Sequence, residues 1–380
     1  MPADDDEASG PPPHPLDRVW FHPSELGSSV GALRPQPAPP RLWVVAAIAL
    51  LVGVTGTLGV VSAIWGFSGT TADGNRLART VDAPLTDPDA VATLVTTVGR
   101  SIVTVSVAPP EGGEATWAGS GVVLGPGRVL TAAHLVTGRG PAAVVTVGGQ
   151  VGTAHIAGVD VETDLALLRV EGADLVPARL ASGDGLRIGQ SVAALAAGPS
   201  PRRWVTAGVI SGINEMAALT AGVQGTALIQ TDAPFDATAA GGALLDSTGA
   251  VIGILTGPER LAVPIDIARD VADQLALNGQ AVHGWTGILG SDALDRPGGG
   301  VRVRSTVPGS PAEAALRTDD VVLAVGDVSV GNVGDLVATL RRLKPGDPVE
   351  LTVIRASKRI TVPIALGASV ATPADWLVVA

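Results

Sequence analysis

Between about residues 89 and 278 the chain repeats one unit, a short run of apolar and β-branched residues followed by a turn rich in glycine. Residues 101–107, 143–147, 204–210 and 250–255 are runs of this kind. Many short strands separated by turn residues predict an all-β barrel or sandwich, with a core shared between strands distant in sequence.

Within that rhythm three segments carry chemistry-bearing residues in a fixed order. Val129-Leu130-Thr131-Ala132-Ala133-His134 follows Gly119-Ser120-Gly121-Val122-Val123, and Thr163-Asp164-Leu165-Ala166-Leu167-Leu168 comes thirty residues after the histidine. The third segment runs from Ile229-Gln230-Thr231-Asp232 through Phe235-Asp236-Ala237-Thr238-Ala239-Ala240-Gly241-Gly242-Ala243-Leu244. A histidine acting as general base needs a carboxylate on its far nitrogen, which holds the tautomer and steadies the imidazolium. Taken singly, His134 reads as a loop histidine, Asp164 as a turn residue and Ala240 as a small core residue; their order and spacing favour the set.

Together these segments resemble the motifs of the HtrA/DegP family of trypsin-fold proteases. The resemblance implies a double six-stranded barrel, with His134 as base and Asp164 as its orienting carboxylate. The family writes its nucleophile loop Gly-Asn-Ser-Gly-Gly-Pro, so Ala240 stands where the attacking hydroxyl belongs. The oxyanion hole would be formed by the backbone amides at Ala240 and Thr238. The family places glycine at the latter position, whereas a β-branched residue is costly at unusual backbone angles. Loss of a nucleophile costs about 10⁶ in turnover in a well-studied serine protease. Loss of one oxyanion donor costs about 10² to 10³. The expectation is a pseudoprotease. The alternative is an active serine endopeptidase that uses a non-standard nucleophile.

The last part resembles a PDZ domain. Trp285-Thr286-Gly287-Ile288 is similar to the family's carboxylate-binding loop, whose successive amides form a nest for a terminal carboxylate. Ser310-Pro311-Ala312-Glu313-Ala314-Ala315-Leu316 and Asp319-Asp320-Val321-Val322-Leu323 match later segments of the same domain. Thr286 replaces the more usual apolar residue. Asp266 reads as the N-cap of an amphipathic helix over residues 267–277 that closes the barrels.

The remaining features concern setting. No charge occurs from Leu42 to Phe67, with Trp43 and Trp65 near the two ends, as expected of one uncleaved transmembrane helix. The preceding segment is acidic and proline-rich, too poor in apolar surface to order itself; its island Val19-Trp20-Phe21-His22-Pro23-Ser24-Glu25-Leu26 reads as a docking motif for a cytoplasmic partner or the lipid surface. The absence of cysteine from all 380 residues excludes disulfides and thiolate metal sites. A net charge of −11 argues against nucleic acid as a partner. No metal and no cofactor is expected. Lysine occurs only at Lys344 and Lys358, and this arginine bias is that of a GC-rich, actinobacterial genome.

The resulting reading is mainly β: a trypsin-like double β-barrel followed by a PDZ domain, with one N-terminal transmembrane helix. Its parts are a disordered cytoplasmic tail (1–40), the span (41–68), a linker (69–88), the protease-like domain (89–280), the PDZ domain (281–370) and a C-terminal tail (371–380). The folded domains are expected outside the cytoplasm, binding exposed or C-terminal peptides as a sensor, scaffold or decoy. The resemblance implies a trimer. The apolar end Asp375-Trp376-Leu377-Val378-Val379-Ala380 is expected either to enter the groove of its own or a neighbouring PDZ domain or to pack as a strand on the domain surface.

Overall fold

The structure, a computed structural model, describes residues 85, 88–109, 114–140, 142–145, 149–183, 185–199, 202–220, 223–257 and 259–369. The chain divides into two units, Met1–Ala78 and Arg79–Ala380, of which the first lies outside the described residues. Among the described residues no helix is long and apolar enough to cross a membrane. The span expected at 41–68, the tail at 1–40 and the end at 371–380 all fall outside them.

After helix α1 (Pro88–Val98), six strands close a first barrel: β1 (Ile102–Val107), β2 (Thr116–Gly125), β3 (Arg128–Ala132), β4 (Ala142–Val145), β5 (Val151–Asp160) and β6 (Leu165–Glu171). Their order around the barrel is β1-β2-β3-β6-β5-β4. A second barrel follows from β7 (Ser191–Ala197), β8 (Arg203–Thr220), β9 (Val223–Thr231), β10 (Ala243–Asp246), β11 (Val251–Thr256) and β12 (Leu261–Pro264). Its order, β10-β11-β12-β9-β8-β7, is the first barrel's topology repeated. Closure removes the strand edges that would otherwise expose unpaired backbone. The first barrel fills its interior with side chains such as Val129 and Leu168 and the second with Ile229 and Leu244, while Leu130 packs with Leu195 and Leu245 in the cluster the two barrels share; all are fully buried. Between the barrels, Trp117 and Trp204 meet edge to face at 5.6 Å, and the Arg203 guanidinium donates to the Ile102 carbonyl.

Helix α2 (Ile265–Asn278) closes this part on an apolar face of Ile267, Ala268, Val271, Ala272 and Leu275, and ends at Gly279 with φ +74°. Asp266 is not its N-cap as expected. The cap position is Pro264, whose restricted φ suits a helix entry. Asp266 sits in the first turn, where its carboxylate pairs with Arg342 at 2.7 Å.

The C-terminal domain comprises β13 (His283–Trp285), β14 (Ile288–Asp292), β15 (Val301–Thr306), helix α3 (Pro311–Ala315), β16 (Val321–Val325), β17 (Val328–Ser329), helix α4 (Val333–Arg341), β18 (Pro348–Arg355), β19 (Lys358–Ala365) and β20 (Gly367–Ser369). The main sheet runs β14-β15-β16-β18-β19, with β17 on β16; β13 pairs with β20 apart from it. Its core is aliphatic, and Met216 of β8 packs against it from the barrel side.

Leu130→Ala is expected to cost about 2–5 kcal/mol by emptying a fully buried site. A lowered urea midpoint for the barrel transition is the measurement that checks it.

Candidate functional site

His134 lies in a short 3₁₀ turn, Ala133–Leu135, that leaves the end of β3. Asp164 ends the tight connection between β5 and β6 in the left-handed region, φ +54°. The Asp164 carboxylate is fully engaged. Oδ1 accepts the His134 amide at 2.9 Å; Oδ2 meets His134 Nδ1 at 2.7 Å and accepts the Thr256 hydroxyl at 2.7 Å. Its carbonyl accepts the Ala133 amide at 2.8 Å, so backbone and side chain together set the imidazole. Thr256 ends β11, which places this carboxylate at the seam of the two barrels. Its contribution had not been read from the sequence, because a threonine ninety-two residues away carries no local signal.

Ala240 is buried and packs in the same apolar cluster as Ala133 and Leu135, the residues on either side of His134. Its carbonyl accepts the Ser120 amide at 2.9 Å. Gly241 follows at φ +77°, and a Cβ there would stand 2.0 Å from the Ser120 carbonyl oxygen, so only glycine fits. The hydroxyls of this seam are committed: Thr131 donates to the Ser120 carbonyl, Ser120 to the Ala197 carbonyl, and Thr256 to Asp164.

The amides expected to form the oxyanion hole are both turned to partners within the loop. Residues 237–239 form a 3₁₀ turn capped by Asp236, whose Oδ1 accepts the Thr238 amide at 2.9 Å and also the Thr238 hydroxyl. The Ala240 amide donates to the Ala237 carbonyl at 3.2 Å. Thr238 is therefore not held at a strained backbone angle, contrary to the cost argued from its side chain. The loop has folded into a conformation that makes no demand for glycine. The Thr238 bonds to Asp236 hold its carboxyl below the ordinary carboxylate value.

In the C-terminal domain Gly287 has φ +79°, and a Cβ there would meet Ser310 Cβ at 2.1 Å, which explains the glycine of the 285–288 loop. Trp285 ends β13, Thr286 is buried, and the Ile288 amide reaches the Thr286 hydroxyl at 3.4 Å. The hydroxyl at 286 thus occupies one of the amides offered to a carboxylate. Thr286, Ile288 and Gly290 form one wall of a groove whose other wall is α4, through Val333, Leu336 and Leu340. This groove is filled from the barrels. Met216 of β8 and Thr226 of β9 enter it, leaving a cavity of about 20 Å³, room for about one water molecule. A bulge in β8 puts Asn214 at φ +59°; its amide donates to Asp335 at 2.8 Å, and its carbonyl comes so near Gly334 that a Cβ there would lie 2.0 Å away.

A buried ionic junction completes the contact. Asp160 meets His283 at 2.9 Å and accepts the Thr163 hydroxyl at 2.5 Å; Glu162 accepts from Ser369 at 2.7 Å and pairs with Arg341 at 3.4 Å. Arg341 also donates to Thr226 at 2.8 Å. Burial lowers the Arg341 pKa against the opposing charges of Glu162 and Asp160. Burial opposes ionisation of Asp160 too, but the hydrogen bonds from His283 and Thr163 and the Arg341 charge hold it below its ordinary 3.8. Among the described residues no group of His, Asp and Glu could hold a metal ion.

Residues 119–254 match the trypsin-like peptidase domain family and residues 274–366 the PDZ domain family. A "Probable periplasmic serine endoprotease DegP-like" of Halomonas elongata is 33% identical over 277 residues, which are 68% of this chain and 56% of that protein. A protein of the same description from Pseudomonas fulva is 30% identical over 298 residues, 73% and 62% of the two chains. This chain thus spans little more than half the length of such relatives. The solved HtrA-type protease AlgW with tripeptide superposes with a TM-score of 0.60 at 24% identity, over 74% of this chain and 98% of that one, a likeness of fold.

Two outcomes are expected at the junction. Arg341→Met, which strands the buried Glu162, costs about 3–5 kcal/mol, and adding Glu162→Leu recovers most of it, as urea denaturation of the three variants would measure. Asp160 has a depressed folded pKa, so its contribution is complete above pH 3.8 and is lost as the pH falls through the lowered value. Hydrogen exchange in β13 and β20 should therefore accelerate relative to β18 as the pH is taken below 3.8. On fold, motif order and these likenesses together, the chain is a homologue of the DegP/HtrA proteins, with a trypsin-like peptidase domain joined to a PDZ domain.

Proposed function

We propose that this HtrA homologue is a pseudoprotease, anchored by one membrane span at residues 41–68, whose folded part lies outside the cytoplasm and binds exposed or C-terminal peptides as a sensor, scaffold or decoy. The observation that carries the reading is the loop at Ala240. A methyl group stands at the nucleophile position, and the Thr238 and Ala240 amides are bonded to Asp236 and Ala237 rather than free for an oxyanion. The periplasmic description of the DegP-like relatives supports the extracytoplasmic placement. The peptide held by the AlgW structure supports peptide as the ligand class, with the 285–288 loop as its carboxylate end. Because Met216 fills the groove, a peptide binds only by displacing the β8 bulge, so ligand binding and separation of the domains are coupled. The trimer implied by the family remains part of the proposal.

An active endopeptidase has one observation on its side, the intact His134 and Asp164 pair. The hydroxyls of Thr131, Ser120, Thr256 and Thr238 are all engaged elsewhere, which leaves His134 without a group to activate among them.

The test is a fluorophosphonate probe. The native chain should stay unlabelled, and Ala240→Ser with Thr238→Gly should label about 10²-fold faster than Ala240→Ser alone, since the second change frees the loop to offer its amide. Casein hydrolysis by the native chain that disappears in His134→Ala would overturn the pseudoprotease reading.

A further inference from the structure

The peptide groove beside β14 is closed by Met216, but a second and much larger cleft, about 840 Å³, lies at the opposite edge of the same sheet. One wall is α3, presenting Pro311, Ala314 and Ala315; the other is the end of β19, with Val362 and Pro363; Trp285 stands in it as well. Gly367 of β20 joins the walls, where a Cβ would touch Pro311 at 3.2 Å. No charged residue lines this cleft. Among the described residues β19 pairs only with β18, and exposed Pro363 lacks an N–H, so a ladder cannot continue across it. An occupant is therefore held by its side chains.

The cleft contains one polar side chain, Ser310. It occupies the N-cap position of α3, yet its hydroxyl caps nothing. The Glu313 carboxylate instead accepts the Gly309 amide, at 2.7 Å. Ser310 is 6% exposed, and its Oγ has no hydrogen-bond partner. A buried hydroxyl without a partner is uncommon; this one is sealed against Gly287, where a Cβ would come within 2.3 Å of it, so the surface the cleft presents is apolar.

The chain itself carries a matching segment. It leaves β20 at Ser369, one residue beyond Gly367 and Ala368 of the cleft lining, and continues through residues 370–380. Residues 370–375 can span about 20 Å when extended, enough to turn back on β19. Next comes Trp376-Leu377-Val378-Val379, an apolar run that suits a cleft lined by Pro311, Ala314, Ala315, Val362 and Pro363. We propose that residues 376–379 occupy the cleft between α3 and β19 of their own domain, with the Trp376 indole packed on Pro311 and Pro363. This assignment does not depend on whether the Ala240 loop is catalytically silent. It makes the tail a clasp on the face opposite the ligand groove, leaving that groove to other chains.

The experiment places the photoreactive residue benzoylphenylalanine at position 376 of the full-length protein and maps its adducts by mass spectrometry. Adducts within residues 309–315 or 362–368 of the same chain are expected, reduced at least about tenfold by Ala314→Arg, a solvent-facing change that fills the cleft. Met216→Ala, which opens the other groove, should leave them unchanged. Adducts in residues 288–292 or 333–340, adducts on a second copy when isotope-labelled and unlabelled chains are mixed, or no adduct at all would each overturn the proposal.

Discussion

Three carboxylates are buried within five residues, at Asp160, Glu162 and Asp164, and the arrangement of both folded domains follows from the need to pair them. An ionised carboxylate removed from water is tolerated only with compensating charge or hydrogen bonds. Asp164 finds them toward the barrel seam, in His134 and Thr256. Asp160 and Glu162 find them on the C-terminal domain, in His283, Ser369 and Arg341. One tight turn therefore faces both the catalytic-type histidine and the PDZ domain, and neither contact can be lost without exposing or stranding charge.

The His134 geometry has a structural use of its own, for a related reason. The Asp164 contacts hold the β3 and β6 ends together, the Ala133 amide included, and so support the barrel itself. Nothing comparable constrained the loop before Ala240. A capped 3₁₀ turn satisfies its amides locally, and the residues there need only be small and compatible with that turn. Gly241 is different: the Ser120 carbonyl lies against it, which is a packing demand independent of chemistry.

The same contrast separates what was legible in the chain from what was not. Strands such as β1 and β6 announce themselves by β-branched and apolar runs, and the His134 and Asp164 segments by order and spacing. Thr238 was misjudged because its cost was assigned to a backbone conformation the loop does not adopt. Asp266 was misplaced because a carboxylate before an apolar run resembles a cap, whereas Pro264 had already set the helix start. Nothing local in Met216 or Asn214 indicates that they close a groove formed by residues 286–340.

From the amino acids alone came the double barrel, the PDZ-like segment and the pairing of His134 with Asp164, because each rests on local periodicity or on short motifs in a recognisable order. Tertiary structure decided which amides of the Ala240 loop are free, what fills the groove beside α4, and which charges are buried between the domains. Those outcomes depend on groups brought together from positions as far apart as Glu162 and Ser369, where only the packing of whole domains determines whether a polar atom meets water or a partner.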